Sequence, residues 1–168
     1  MENLIQVLEE ESTEYESLLK LSQEKTAYIV KGDLENITRI TDEEQVYVGK
    51  LARLDKKREE VTADIANVLN KDVKTLKITA LIEMLAARPQ EQKMLAKACE
   101  DLQKQVRALQ IVNEQNRELI QHSLELVEFD MQLLQAMKAA PQTANYNRGA
   151  YNSGYTMGVN RQGFDSKR

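Results

Sequence analysis

Ile40, Tyr47, Leu54, Val61 and Val68 recur every seven residues without a miss. Only a helix returns one face so regularly, and a seven-residue period winds that helix left-handed around a partner. A companion row lies three residues earlier: Ile37, Glu44, Leu51, Arg58 and Ile65. The same stretch offers no alternation of β-branched residues, and no Asn-Gly or Asp-Gly pair sits between such runs elsewhere. Strands are therefore not expected.

Punctuation sets the helix limits. Gly32-Asp33 pairs a favoured stop with a favoured N-cap, so one helix covers about 2–31 and the next about 34–69. So short a junction makes them antiparallel. Asn70-Lys71-Asp72 breaks the second helix. A short third helix covers about 73–87 and ends before Pro89, because the residue preceding proline is biased out of helix. A fourth runs from about 90 to 138. The expected fold is all-α: an elongated antiparallel coiled-coil-like bundle of three long helices plus a short one, with a flexible C-terminal tail. Opposite the turn, Arg58 is expected either to pair with Glu9 or Glu10 or to lay its stem along the seam.

The division is 1–140 for the bundle and 141–168 for the tail. The tail holds Tyr146, Tyr151, Tyr155 and four of the six glycines, without leucine or isoleucine. Such a segment cannot bury enough apolar surface to offset its ordering entropy. Residues 142–168 carry a net charge of +3, which leaves −7 of the whole chain's −4 on residues 1–141. That balance argues against nucleic acid as the partner and favours other proteins.

Chemistry is sparse. Cys99 is the one cysteine and His122 the one histidine, so neither a disulfide nor a transition-metal cluster is expected. No glycine-rich phosphate loop occurs. His122 and Ser123 are neighbours on a helix and point apart. An enzyme, a cofactor and a membrane span are all unexpected. A reducing, cytoplasmic setting is the default for such cysteine usage.

The fourth helix carries the oddities. Its seam begins Leu95, Cys99, Leu102, Val106, Leu109 and then turns polar at Asn113 and Asn116. Buried amides either fix register against a polar partner from the first two helices or bond the backbone of a docked guest. Further on, Leu119, Ile120, Leu124, Leu126, Val127, Phe129, Met131, Leu133 and Leu134 cover much of the helix circumference. This surface is either a second core face, buried by the third helix or by self-association, or a binding site. Leu119/Ile120, Leu124, Val127, Met131 and Leu134 have the spacing of helix-in-groove anchors.

Lys25…Gly32-Asp33-Leu34…Glu44…Leu51…Leu54…Arg58, followed by Asn113-x-x-Asn116-x-x-Leu119-Ile120-x-x-Ser123-Leu124 and a Tyr/Gly tail, resembles the FlgN family of flagellar export chaperones. The resemblance implies a cytoplasmic helical protein without catalysis or cofactor. It would bind the terminal amphipathic helix of hook-filament junction proteins, prevent their premature assembly and deliver them to the flagellar type III export apparatus. Its client groove would comprise Asn113, Asn116, Leu119, Ile120, Ser123, Leu124, Val127, Met131 and Leu134. Export-gate docking would fall to Tyr146 and Gly149, although Tyr151 and Tyr155 offer similar contexts. The other reading of the residues is a structural coiled-coil homodimer or adaptor.

Overall fold

The computed structural model describes residues 1–72 and 76–139. It contains α1 (Glu2–Lys31), α2 (Leu34–Val68), α3 (Ile78–Met84), a 3₁₀ turn at Leu85–Ala87, and α4 (Pro89–Ala139). No strand occurs among the described residues, and no described helix is long and apolar enough to cross a membrane. The chain divides into two compact units, Met1–Val127 and Glu128–Arg168. The tail lies outside the described residues, as does the expected start of the third helix at Val73. The described part of that helix starts at Ile78.

The helix ends follow local chemistry. Gly32 adopts φ +67°, in the left-handed region. Its N–H donates to the Ile29 carbonyl, and the next N–H, of Asp33, reaches back to Tyr28. These bonds satisfy orphan carbonyls of α1. Asp33 then caps α2: its Oδ1 accepts from the Asn36 N–H at 3.2 Å and its Oδ2 from the Asn36 amide at 2.7 Å. These bonds hold the Asp33 carboxyl below its ordinary pKa. Asn70 ends α2 in the same left-handed conformation, while Lys71 N–H donates to the Ala66 carbonyl. Pro89 opens α4, at the position where a missing N–H costs least.

Within the first unit the core is built in layers. The first joins Leu4, Ile5 and Leu8 of α1 to Ala66 of α2, Leu76, Leu81, Leu85, and Leu95 and Ala98 of α4. The second holds Leu18, Leu51 and Leu109, with Tyr15 and Tyr47 packed around them. Matching partners rise together along α1 and α4, so those helices run parallel, and α2 runs against both. The heptad row is fully buried at Ile40, partly covered at Tyr47, Leu54 and Val61, and exposed at Val68, where α2 ends.

Arg58 pairs with Glu11 rather than with Glu9 or Glu10. Its Nε lies 3.1 Å from Glu11 Oε1, and a second nitrogen contacts Asp55. One residue is about 100° of helix rotation, which takes Glu10 to the rim, where it meets Lys57 at 3.2 Å. Glu11 instead turns inward and is buried. The Arg58 side chain keeps about a third of its surface in water, so it also lies along the seam. Burial pushes the Glu11 carboxyl above its ordinary pKa, against the pull of Arg58.

Removing one partner of this pair strands a buried charge, whereas removing both does not. Arg58→Leu should cost about 1–3 kcal/mol in urea unfolding, and adding Glu11→Leu should recover most of it. A double variant no better than the single would assign Arg58 a packing role alone.

Glu11 also sets a pH dependence. Its pKa is higher folded than unfolded, so the folded state binds the proton more tightly. Stability from this group is present at low pH and is lost as pH rises through that range. Glu11→Gln removes the loss. The stability of this variant relative to the native chain should therefore increase between about pH 4 and pH 7. A difference that stays flat across urea titrations at the two pH values would contradict the assignment.

Candidate functional site

A polar layer sits above the second apolar one and decides how α4 is held. Asn116 is 5% exposed. Its Nδ2 donates to the Ser22 carbonyl at 2.8 Å, and the Thr26 hydroxyl donates to its Oδ1 at 2.6 Å. Ser22 Oγ donates to Glu44 Oε1 at 2.9 Å, and Lys25 Nζ reaches Glu44 Oε2 at 2.8 Å. Three helices thus meet in one network, and no buried side-chain polar atom is left without a partner among the described residues. The sequence left two roles open for Asn116, and its amide is occupied by α1. Through these bonds it fixes register.

The other residues of the expected groove are placed differently. Asn113 is exposed and Leu119 half-buried. Ser123 is exposed, and its hydroxyl donates to the Leu119 carbonyl one turn back at 2.8 Å. Ile120 is 38% exposed, Leu124 65% and Val127 55%. In the second unit, Phe129, Met131, Leu133, Leu134 and Met137 are all between 49% and 67% exposed. Tyr146 and Gly149 lie outside the described residues.

Register explains the exposure in the first unit. Leu18 packs with Leu109, and Ser22 and Thr26 bond Asn116. Parallel helices rise equally per residue, so the last residue of α1, Lys31, comes level with about Ser123. Between that level and Val127, neither α1 nor α2 has a residue to set against α4. Leu124, Leu126 and Val127 are bare because the hairpin beside them has ended.

Sequence reasoning left open a polar partner for Asn116 from the first two helices without identifying Ser22, Thr26 or Glu44, and it missed the buried Glu11. A signal was present, since Glu44 and Arg58 interrupt the companion row of α2 two heptads apart. Each marks the place where a polar side chain of α1 must face it. Also unforeseen is a cleft of about 750 Å³ between α2 and α4, floored by α1, with Tyr15, Val48, Leu102 and Val106 among its walls.

No group of His, Cys, Asp and Glu among the described residues could hold a metal ion. His122 lies on the surface, its Nδ1 3.5 Å from Glu125. Cys99 is a half-buried free thiol.

A helical bundle whose longest helix bares apolar side chains is the architecture of a small helical binding protein. The family described as FlgN protein matches residues 1–153. The chain belongs to the FlgN family, a family of flagellar export chaperones. No curated protein and no solved structure gives a significant match.

Asn116→Ala should lower stability by about 1–3 kcal/mol, because it leaves the paired groups of Ser22 and Thr26 in a buried gap. Thermal unfolding checks this. A loss below about 0.5 kcal/mol, the range of ordinary surface changes, would mean that the layer does not hold α4.

Proposed function

We propose that the chain captures the terminal amphipathic helix of hook-filament junction (hook-associated) proteins in the cytoplasm. It thereby prevents their premature assembly and delivers them to the flagellar type III export apparatus. The anchors are Leu119, Ile120, Leu124, Val127, Met131 and Leu134 of α4, with Asn113, Asn116 and Ser123 as polar neighbours. Tyr146 and Gly149, in the tail at 141–168, serve as the docking element at the export gate. Family membership supports the chaperone part of this reading. The observation that carries the client site is the exposure of Leu124 and Val127 past the end of the α1–α2 hairpin.

The physics suits the task. A secreted axial protein must stay unassembled until it leaves the cell, and its polymerising helix must be covered meanwhile. Burying a leucine-sized side chain contributes about 1.5–3 kcal/mol. A handful of anchors, less the cost of association, yields binding that is firm and still reversible.

Leu124→Glu combined with Val127→Glu should abolish binding of a hook-filament junction protein while circular dichroism shows the helices retained. Loss of the helical fold instead would assign these residues to the core. Sedimentation of the native chain separates chaperone from adaptor. A monomer, or a weak dimer dispersed by client, agrees with the proposal, and a tight dimer that blocks α4 contradicts it.

A further inference from the structure

The cleft between α2 and α4, wholly within the first unit, is where the bundle has room for one more helix. A helix that serves one neighbour carries a narrow apolar seam, and one that serves two carries a further row beside it. On α2, Val48 and Ala52 lie next to the seam that meets α1, and Val48 keeps 47% of its surface in water. On α4, Leu95, Ala98 and Leu109 are buried in the core. Leu102 and Val106 are only half-buried and line the cleft. Each helix thus bears a second apolar row that opens onto the hollow above α1.

The lining also sets the length. Leu8 and Leu18 of α1 stand near the two ends, about 15 Å apart along the helix. That span suits apolar residues at i, i+3, i+7 and i+10 of a docked helix. The chain's own tail offers no such stripe, because residues 141–168 hold no leucine or isoleucine. The same cleft on a second copy fits no better, because two hollows laid face to face enclose a void.

Charge describes the flanks of the occupant. The charged side chains lining the cleft are Glu11, Asp55, Arg58 and Arg107. Arg58 bonds both Glu11 and Asp55, which leaves one negative charge in excess on the side of α1 and α2. Arg107 forms no hydrogen bond or ion pair among the described residues, so the α4 wall presents an uncompensated cation. Leu18, Leu51 and Leu109 share one layer. Asp55 lies four residues below that layer on α2, and Arg107 two residues below it on α4. Their levels therefore differ by about 3 Å. A helix laid between them meets a carboxylate on one edge and a guanidinium on the other, as the two edge positions of a coiled coil do.

We infer that this cleft is a second docking site, for an amphipathic helix of another protein. That helix carries Lys or Arg along one edge of its apolar stripe and Asp or Glu along the other. The site is separate from the client anchors, since Val106 lies about 27 Å from Leu124 along α4.

The test uses the full chain and three designed helical peptides of about four turns. All carry leucine at i, i+3, i+7 and i+10. One has lysine along one edge and glutamate along the other, one has lysine along both, and one has glutamate along both. Calorimetry on Leu124→Glu/Val127→Glu, which lacks the client anchors, should find one mixed peptide per chain. At about 0.05 M salt it should bind at least threefold tighter than either of the others. Adding Val48→Glu, a change at an exposed position, should remove the site while the helical signal and the thermal transition persist. Adding Arg107→Glu instead should make the peptide with lysine on both edges the tightest. No binding of the mixed peptide, equal affinity for all three, or an unaltered order in Arg107→Glu overturns the inference. So does a photoreactive residue at position 48 that couples to residues 141–168 of its own chain, or to a second copy, when the mixed peptide is present.

Discussion

The hydrogen-bonded layer of Ser22, Lys25, Thr26, Glu44 and Asn116 is the constraint on which the rest turns. Apolar layers can slide by a turn at modest cost, because leucine accepts any apolar neighbour. An amide that must find one carbonyl and one hydroxyl cannot. Asn116 meets Ser22 and Thr26 at a single height, and Glu44 binds that height to α2. The network therefore sets where α4 stands against the hairpin within the first unit, and so which of its residues up to Val127 lie past Gly32.

The position of Gly32 completes the arrangement. Had the turn come several residues later, the hairpin would have covered Leu124 and Val127 and left an ordinary closed bundle. The left-handed Gly32 and the Asp33 cap end the hairpin where they do. The apolar content of α4 is thus not surplus core. As far as Val127 it belongs to a stretch of helix past the hairpin, in a chain whose family supplies chaperones to flagellar export.

Much of this was legible in the residues. Gly32-Asp33 fixed both limits of the hairpin, and α1 came out at Glu2–Lys31. The heptad row gave the seam of α2, and the resemblance to FlgN agrees with the family match. Less legible were features that depend on which residue stands opposite which. Arg58 was placed one or two residues from its partner Glu11, because helix phase at Glu9–Glu11 changes the outcome by more than a quarter-turn per residue. Asn116 carried two readings that only the location of Ser22 and Thr26 separates. The sequence showed apolar residues around much of α4 without showing where they are bare, and the first unit has its bare stretch past the hairpin. Lengths say how much surface is uncovered, and register says where.

The bare stretch of α4 past the hairpin in the first unit has a consequence for the lifetime of the molecule. A helix without tertiary support opens at low free energy, since packing supplies most helical stability in proteins. Proteases cut backbone that opens, and a bound guest suppresses the opening. On the proposed function, the empty protein is thus the one a cell degrades first, and the laden one persists, so that turnover follows cargo supply without any dedicated sensor.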